Sequence, residues 1–249
     1  MLWLLLPACG DADDAPSDTD SGIHAAACEG TGLVEGDQLA PFEGISTYVH
    51  VPAGSGPCAP LVVFLHGTLG AGTWDGTSWV EPRETHLAEA ADMLGFVLVV
   101  PGVAASGDTH DWALSDVGAG EVDAAIEGVQ VGYSVDAEAT FVMGVSKGGL
   151  MAAWYGLYHP ERARGIGVVS GGYTFDYPSS EPTPKLPYYV AHDPDDSVSP
   201  YEDAVRLSED LAAHGHVVHF EDWALGEDGH GWNPDLPADM FGYFMELGG

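Results

Sequence analysis

Basic side chains are nearly absent from this sequence. Six Lys and Arg stand against 39 Asp and Glu, which leaves a formal net charge of -33. Such a surface repels phosphate backbones and anionic lipid headgroups, so nucleic acid is excluded as a partner. It reads as a solvating acidic shell suited to high salt, where screening relieves the self-repulsion. Cysteine is scarce too, with only Cys9, Cys28 and Cys58. The apolar stretch at the start, Met1-Leu-Trp-Leu-Leu-Leu-Pro-Ala-Cys9, falls well short of the ~20 residues that span a bilayer. No internal repeat is visible. Apolar residues are not in short supply: 45% of the chain is hydrophobic, and 249 residues suit one α/β domain with a full core.

The N-terminus reads as the end of a secretory signal peptide over residues 1–8. Leu6-Pro-Ala-Cys9 resembles a bacterial lipobox, which implies a lipid on Cys9, although no basic segment precedes it and Pro7 is unusual there. Gly10 to Gly22 holds five Asp and no aromatic or basic residue, a composition that cannot bury enough surface to order itself. Residues 9–30 are therefore expected to be a tether and 31–249 the folded domain. With Cys9 lipidated, Cys28 and Cys58 remain for a disulfide in an oxidising compartment; the alternative is two free buried thiols.

Beyond Thr31 strand-like and helix-like segments alternate, which argues for a mostly parallel sheet flanked by helices. Ser46–Val51 alternates like a partly exposed strand. Leu61–Leu65, Phe96–Val100, Ala139–Met143, Gly165–Val169 and Tyr188–Ala191 are short apolar runs of the kind buried parallel strands require, and Val217–Trp223 follows. Helical patterns cover Glu84–Leu94, Asp116–Val131 and Gly148–Tyr158. A capping box at Ser199-Pro-Tyr-Glu202 opens another that stops near Gly215, and Asn233-Pro234 opens the last.

The chemistry concentrates in three places. Gly144-Val-Ser146-Lys-Gly148 is G-x-S-x-G between a strand and a helix, the setting of a nucleophile elbow. The turn needs small residues two places either side of Ser146, and it offers the serine oxygen at a helix N-terminus. A serine nucleophile needs a base, and the base an orienting carboxylate, here in the order Ser, Asp, His. The His192-Asp-Pro-Asp-Asp196 loop and Gly229-His230-Gly-Trp232 follow the last two strands. Register selects Asp196, with Asp193 and Asp195 as alternatives. The first oxyanion donor is expected to be the Lys147 backbone N–H, the second that of Thr68 or Leu69. Trp74, Trp112, Tyr173 and Trp232 fall in strand-to-helix loops and are expected to line the substrate site, with Trp79 nearby. His214, His216 and His219 alternate faces without a convergent carboxylate, which argues against zinc.

His66-Gly67 after a strand, Trp112 with Asp116-Val-Gly118, the His192–Tyr201 segment and Gly229–Trp232 occur together. In these motifs the sequence resembles the esterase group that includes feruloyl esterases and extracellular polyhydroxybutyrate depolymerases, from about Ile45 to Trp232. Asp193 departs from the group's usual glycine. The resemblance implies an α/β-hydrolase fold, with a mostly parallel central sheet and helices on both faces. It implies a secreted serine hydrolase of carboxylic esters, polymeric ones included, working as a monomer without a cofactor. Lids in this fold are commonly inserted where only about 17 residues separate Val169 from Pro187 here, so no large lid is expected. The rival readings are a serine peptidase of the same fold and a non-catalytic binding lipoprotein.

Overall fold

The short apolar runs become the middle of one eight-stranded sheet. The computed structural model describes Cys28 and residues 34–70, 86–103, 105–106, 109–172, 175–225 and 228–247. Its strands are β1 (Gly36–Phe42), β2 (Ile45–Val51), β3 (Ala59–Leu65), β4 (Leu69–Gly70), β5 (Val97–Pro101), β6 (Ala105–Ser106), β7 (Thr109–His110), β8 (Val135–Val145), β9 (Gly165–Val169), β10 (Pro187–His192) and β11 (Val217–Asp222). The helices are α1 (Leu87–Leu94), α2 (Asp116–Gly132), α3 (Lys147–Tyr158), α4 (Tyr201–Ala213) and α5 (Leu236–Leu247). Spatial order is β1-β2-β5-β3-β8-β9-β10-β11; β2 runs against both neighbours and the other pairings are parallel. This is the expected α/β-hydrolase arrangement.

Helices cover both faces, and the strands alternate to meet them. Leu61, Val63 and Leu65 join the core with Val122, Ile126, Met151, Tyr155, Leu207 and Leu211 of α2, α3 and α4. Val62 and Phe64 join the opposite core with Leu87 and Ala91 of α1 and Met240, Phe241 and Phe244 of α5. Each such buried Val, Leu, Ile, Phe or Met side chain contributes about 1.5–3 kcal/mol, which is why β3, buried on both faces, carries no polar residue. The connection 170–186, among its described residues, contains neither helix nor strand. Phe175 and Tyr177 in it pack against the core, and Tyr177 stacks on His214 at 3.9 Å.

Two strand features were not expected. β1 is an edge strand, where Pro41 is tolerated because one side of the strand forms no ladder. β4, β7 and β6 make a small antiparallel sheet of two-residue strands. One expectation is corrected: Ser199 does not cap α4. Pro200 is the N-cap residue, and the Ser199 N–H is committed to Asp196 Oδ1 at 2.8 Å.

Cys28 and Cys58 are joined in a disulfide, closing a sequence separation of 30. Cys58 immediately precedes β3, and its N–H donates to the Ser134 carbonyl at 2.9 Å, just before β8. Ser134 Oγ in turn donates to the Cys28 carbonyl. The bridge thus sits at the amino-terminal rim of the central strands. Among the described residues, no helix is long and apolar enough to cross a membrane.

Candidate active site

Ser146 stands between the end of β8 and the start of α3 with φ 54° and ψ −119°. Backbone in such a region costs roughly 1–3 kcal/mol for a residue with a Cβ and persists only where its surroundings enforce it. Here the Ser146 N–H donates to the Val169 carbonyl at 2.8 Å, and its own carbonyl accepts from Leu150 at 3.0 Å. A methyl group at Gly144 would overlap the Gly148 backbone, and one at Gly148 would overlap the Leu65 and His66 carbonyls. The two glycines are therefore demanded by backbone contact on both sides of the turn.

The base and the acid arrive from the carboxyl ends of the last two strands. His230 Nε2 lies 2.9 Å from Ser146 Oγ, and its Nδ1–H donates to Asp196 Oδ2 at 2.9 Å. Asp196 Oδ1 accepts the Val198 and Ser199 N–H groups, both at 2.8 Å. Burial works against this carboxylate's charge, but the Ser199 N–H, the His230 imidazole and the Val198 N–H outweigh it. They hold the carboxyl below its usual range. Neither of the other two aspartates of the loop is hydrogen-bonded to His230. Asp193 accepts the Asp195 N–H at 2.9 Å and the buried Leu225 N–H at 2.8 Å, while Asp195 is exposed.

Several contacts lock the acid and base loops together. Gly229 has φ 76°, and a Cβ there would come within 2.6 Å of the Asp195 and Asp196 backbone. The Ser197 N–H donates to the Asp228 carbonyl at 3.2 Å. Ser170 Oγ accepts the Gly231 N–H and donates to the Gly231 carbonyl, each at 3.0 Å. Ser170 and the buried His192 beside Asp196 went unnoticed as site residues in the sequence. His192 heads the acid motif and could have been found there, whereas Ser170 carries no signal.

The His66-Gly67 loop forms the opposite wall. A Cβ on Gly67 would lie 3.4 Å from Ser146 Cβ, so this backbone abuts the serine. Thr68, next in line, is exposed and its Oγ1 donates to Asp111 at 3.1 Å; Leu69 pairs with His110 in the small sheet. Burial pushes the His66 imidazole down to about 4, against the raising effect of its hydrogen bond to the Gly67 carbonyl. The expectation that Trp112 lines the substrate site is corrected. It is only 2% exposed, its indole N–H donates to the His66 carbonyl at 2.9 Å, and its ring lies 5.3 Å from the His66 ring. A buried tryptophan needs a partner for its N–H, and this one props the loop from beneath. Trp232 is half-buried and packs edge-on against Phe64 at 5.0 Å. Trp74, Trp79, Tyr173 and Cys9 lie outside the described residues. His214, His216 and His219 have separate partners in Glu181, the Leu186 carbonyl and Glu221.

Fold and geometry together define an α/β-hydrolase scaffold with a serine, a histidine and an aspartate in hydrogen-bonded series at the carboxyl ends of its strands. No family model matches the chain. The chain is similar to feruloyl esterase B of Neurospora crassa, 30% identical over 136 residues that cover 51% of this chain and 44% of that protein. It is also similar to poly(3-hydroxyalkanoate) depolymerase C of Paucimonas lemoignei, 25% identical over 138 residues, 51% of this chain and 31% of that one. The chain thus spans less than half the length of these curated relatives. Among solved structures, a thermostable esterase aligns with a TM-score of 0.64 at 21% identity, covering 84% of this chain and 62% of that one. A carboxylesterase from Bacillus cereus aligns at 0.63 and 12% identity, covering 81% and 94%. An acetyl xylan esterase from Aspergillus awamori aligns at 0.61 and 14%, covering 83% and 99%. At these identities the structural likeness establishes the fold.

Proposed function

We propose that the protein is a serine esterase that hydrolyses carboxylic esters through an acyl-enzyme. One observation carries the reading: His230 bridges Ser146 Oγ and Asp196 Oδ2 at 2.9 Å on each side, with the serine in a strained elbow. Ser146 attacks the ester carbonyl while His230 takes its proton, and His230 then returns the proton to the departing alcohol. Water, activated by the same imidazole, releases the acid. Asp196 orients the ring and stabilises its charged form. The oxyanion is held by the Lys147 backbone N–H at the start of α3 and by a second N–H from Thr68 or Leu69. Thr68 is favoured, because it directly follows the glycine that abuts Ser146.

The similar proteins carry names that point to feruloylated or acetylated polysaccharide and to aliphatic polyester, and we extend that range of substrates to this chain. Trp232, Trp74 and Tyr173 are the residues proposed to meet the substrate. The disulfide supports an oxidising, extracytoplasmic setting, and a lipid on Cys9 would moor the domain through residues 9–30. The test is turnover of p-nitrophenyl acetate by the full chain and by Ser146→Ala. We expect the substitution to abolish turnover with the urea-unfolding midpoint little changed, since Ala keeps the Cβ and backbone of the elbow and removes only the hydroxyl. Full activity in that variant would end the proposal.

A further inference from the structure

Asp196 is held from more sides than its partnership with His230 requires. Its Oδ1 takes two backbone N–H groups, while Oδ2 faces two imidazoles: His230 Nδ1 at 2.9 Å and His192 Nε2 at 3.1 Å. The second ring belongs to the last residue of β10, and neither its side chain nor that of Asp196 has any exposed surface. His192 Nε2 also lies 3.1 Å from the Ser199 carbonyl, and Nδ1 lies 3.1 Å from the Gly171 carbonyl. The ring therefore spans from the acid loop to the loop after β9. That second loop is the one in which Ser170 grips Gly231, next to His230.

We propose that His192 is the positioning residue of Asp196: its Nε2–H donates to the Ser199 carbonyl and so fixes the turn whose N–H groups hold Oδ1, while the ring edge lies against Oδ2 at 3.1 Å. This rests on the triad reading above. The end torsion of an aspartate is broad, so the carboxylate points where its hydrogen-bond partners point it. Oδ2 must sit in line with His230 Nδ1 while the ring gains and loses charge. His192 keeps it there by fixing the turn that grips Oδ1 and by occupying the space beside Oδ2. The ring also buttresses both loops, so its loss would move acid and base relative to each other. A displacement near 1 Å at a reacting centre costs on the order of 100-fold in rate.

A double-mutant cycle on the full chain tests this, with p-nitrophenyl acetate as substrate. His192→Phe keeps a flat ring without donors; His192→Gln places an amide N–H2 near the position of Nε2. His192→Phe should lower kcat by about 10-fold or more with KM changed less than about twofold, and His192→Gln should recover most of the loss. On an Asp196→Asn background the same His192→Phe change should cost less than about twofold, because its target is already disabled. Equal losses on both backgrounds, or no loss of kcat, would reduce the ring to packing and overturn the proposal. A second measurement does not depend on turnover. In 15N-histidine-labelled protein the downfield His230 Nδ1–H resonance should move upfield or broaden in His192→Phe and be retained in His192→Gln. If His192→Phe does not fold, His192→Asn, whose amide is too short to reach the Ser199 carbonyl, takes its place. An unchanged resonance overturns the proposal even if the wild type proves inactive on esters, an outcome that would count against the esterase reading alone.

Discussion

Three aspartates crowd one loop, and their hydrogen bonds assign each a different task. Only Asp196 reaches His230; Asp193 fastens the Leu225 backbone, and Asp195 faces solvent. Asp196→Asn should therefore lower kcat on a p-nitrophenyl ester by roughly 10³–10⁴-fold, less than Ser146→Ala. Asp195→Asn should stay within about twofold of wild type, while Asp193→Asn, which leaves a buried N–H poorly paired, should lower the urea midpoint more than it lowers kcat. Equal damage from Asp195→Asn would reassign the acid. His66 sets a pH window for stability. Its folded value of about 4 lies below the ordinary 6.5, so between those values the unfolded chain binds the extra proton and the fold does not. Stability is complete above pH 6.5 and falls as pH drops toward 4, by up to about 3 kcal/mol. Urea midpoints taken from pH 7 to 4 should fall more steeply in wild type than in His66→Gln, a comparison that removes the general effect of neutralising the acidic surface. Parallel curves would contradict the burial of this ring.

The elbow is where local sequence and the packing of elements coincide. α3 can start immediately after β8 only because Gly148 lets its first turn press against the end of β3. Gly148→Ala should unfold the protein or cost more than about 3 kcal/mol, read as a shift in urea midpoint, since backbone carbonyls cannot yield as side chains do. The same logic explains what could be read from the sequence. The inner strands were legible because burial on both faces enforces apolar runs, and Ser146, Asp196 and His230 because they follow such runs in a fixed order. β8 was read too short, since Val135–Glu138 precede an irregularity in its pairing with β3 and all but Val135 are partly or fully exposed. β1 escaped because an edge strand with Pro41 has no pattern to match. Trp112 was misjudged for a different reason: loop position in a sequence does not reveal whether an indole points out to solvent or down to a carbonyl. The Ser199 cap failed because a competing acceptor, Asp196, claimed the backbone of that turn.

At the scale of the molecule the excess charge is the governing term. Of the described cations, Arg162 is engaged with Asp123 and Glu127 at 2.9 and 2.6 Å, and Lys185 with Glu181 at 2.5 Å. The remaining carboxylates repel one another through water, and salt shortens the reach of that repulsion from about 10 Å at 0.1 M to about 3 Å at 1 M. Raising NaCl across that range should stabilise the fold by about 1–2 kcal/mol, seen as a Tm rise of roughly 3–8 °C. A Tm that stays level would show the acidic shell to be energetically idle. The disulfide has a consequence of another kind. It pins Cys28 to the floor of the sheet, beside Cys58 and Ser134, while Ser146 opens at the roof, a full length of β8 away. The chain therefore enters the domain, at Cys28, from the end of the sheet opposite Ser146. On the reading proposed above, a hold placed on the chain before Cys28 leaves the mouth of the site unobstructed.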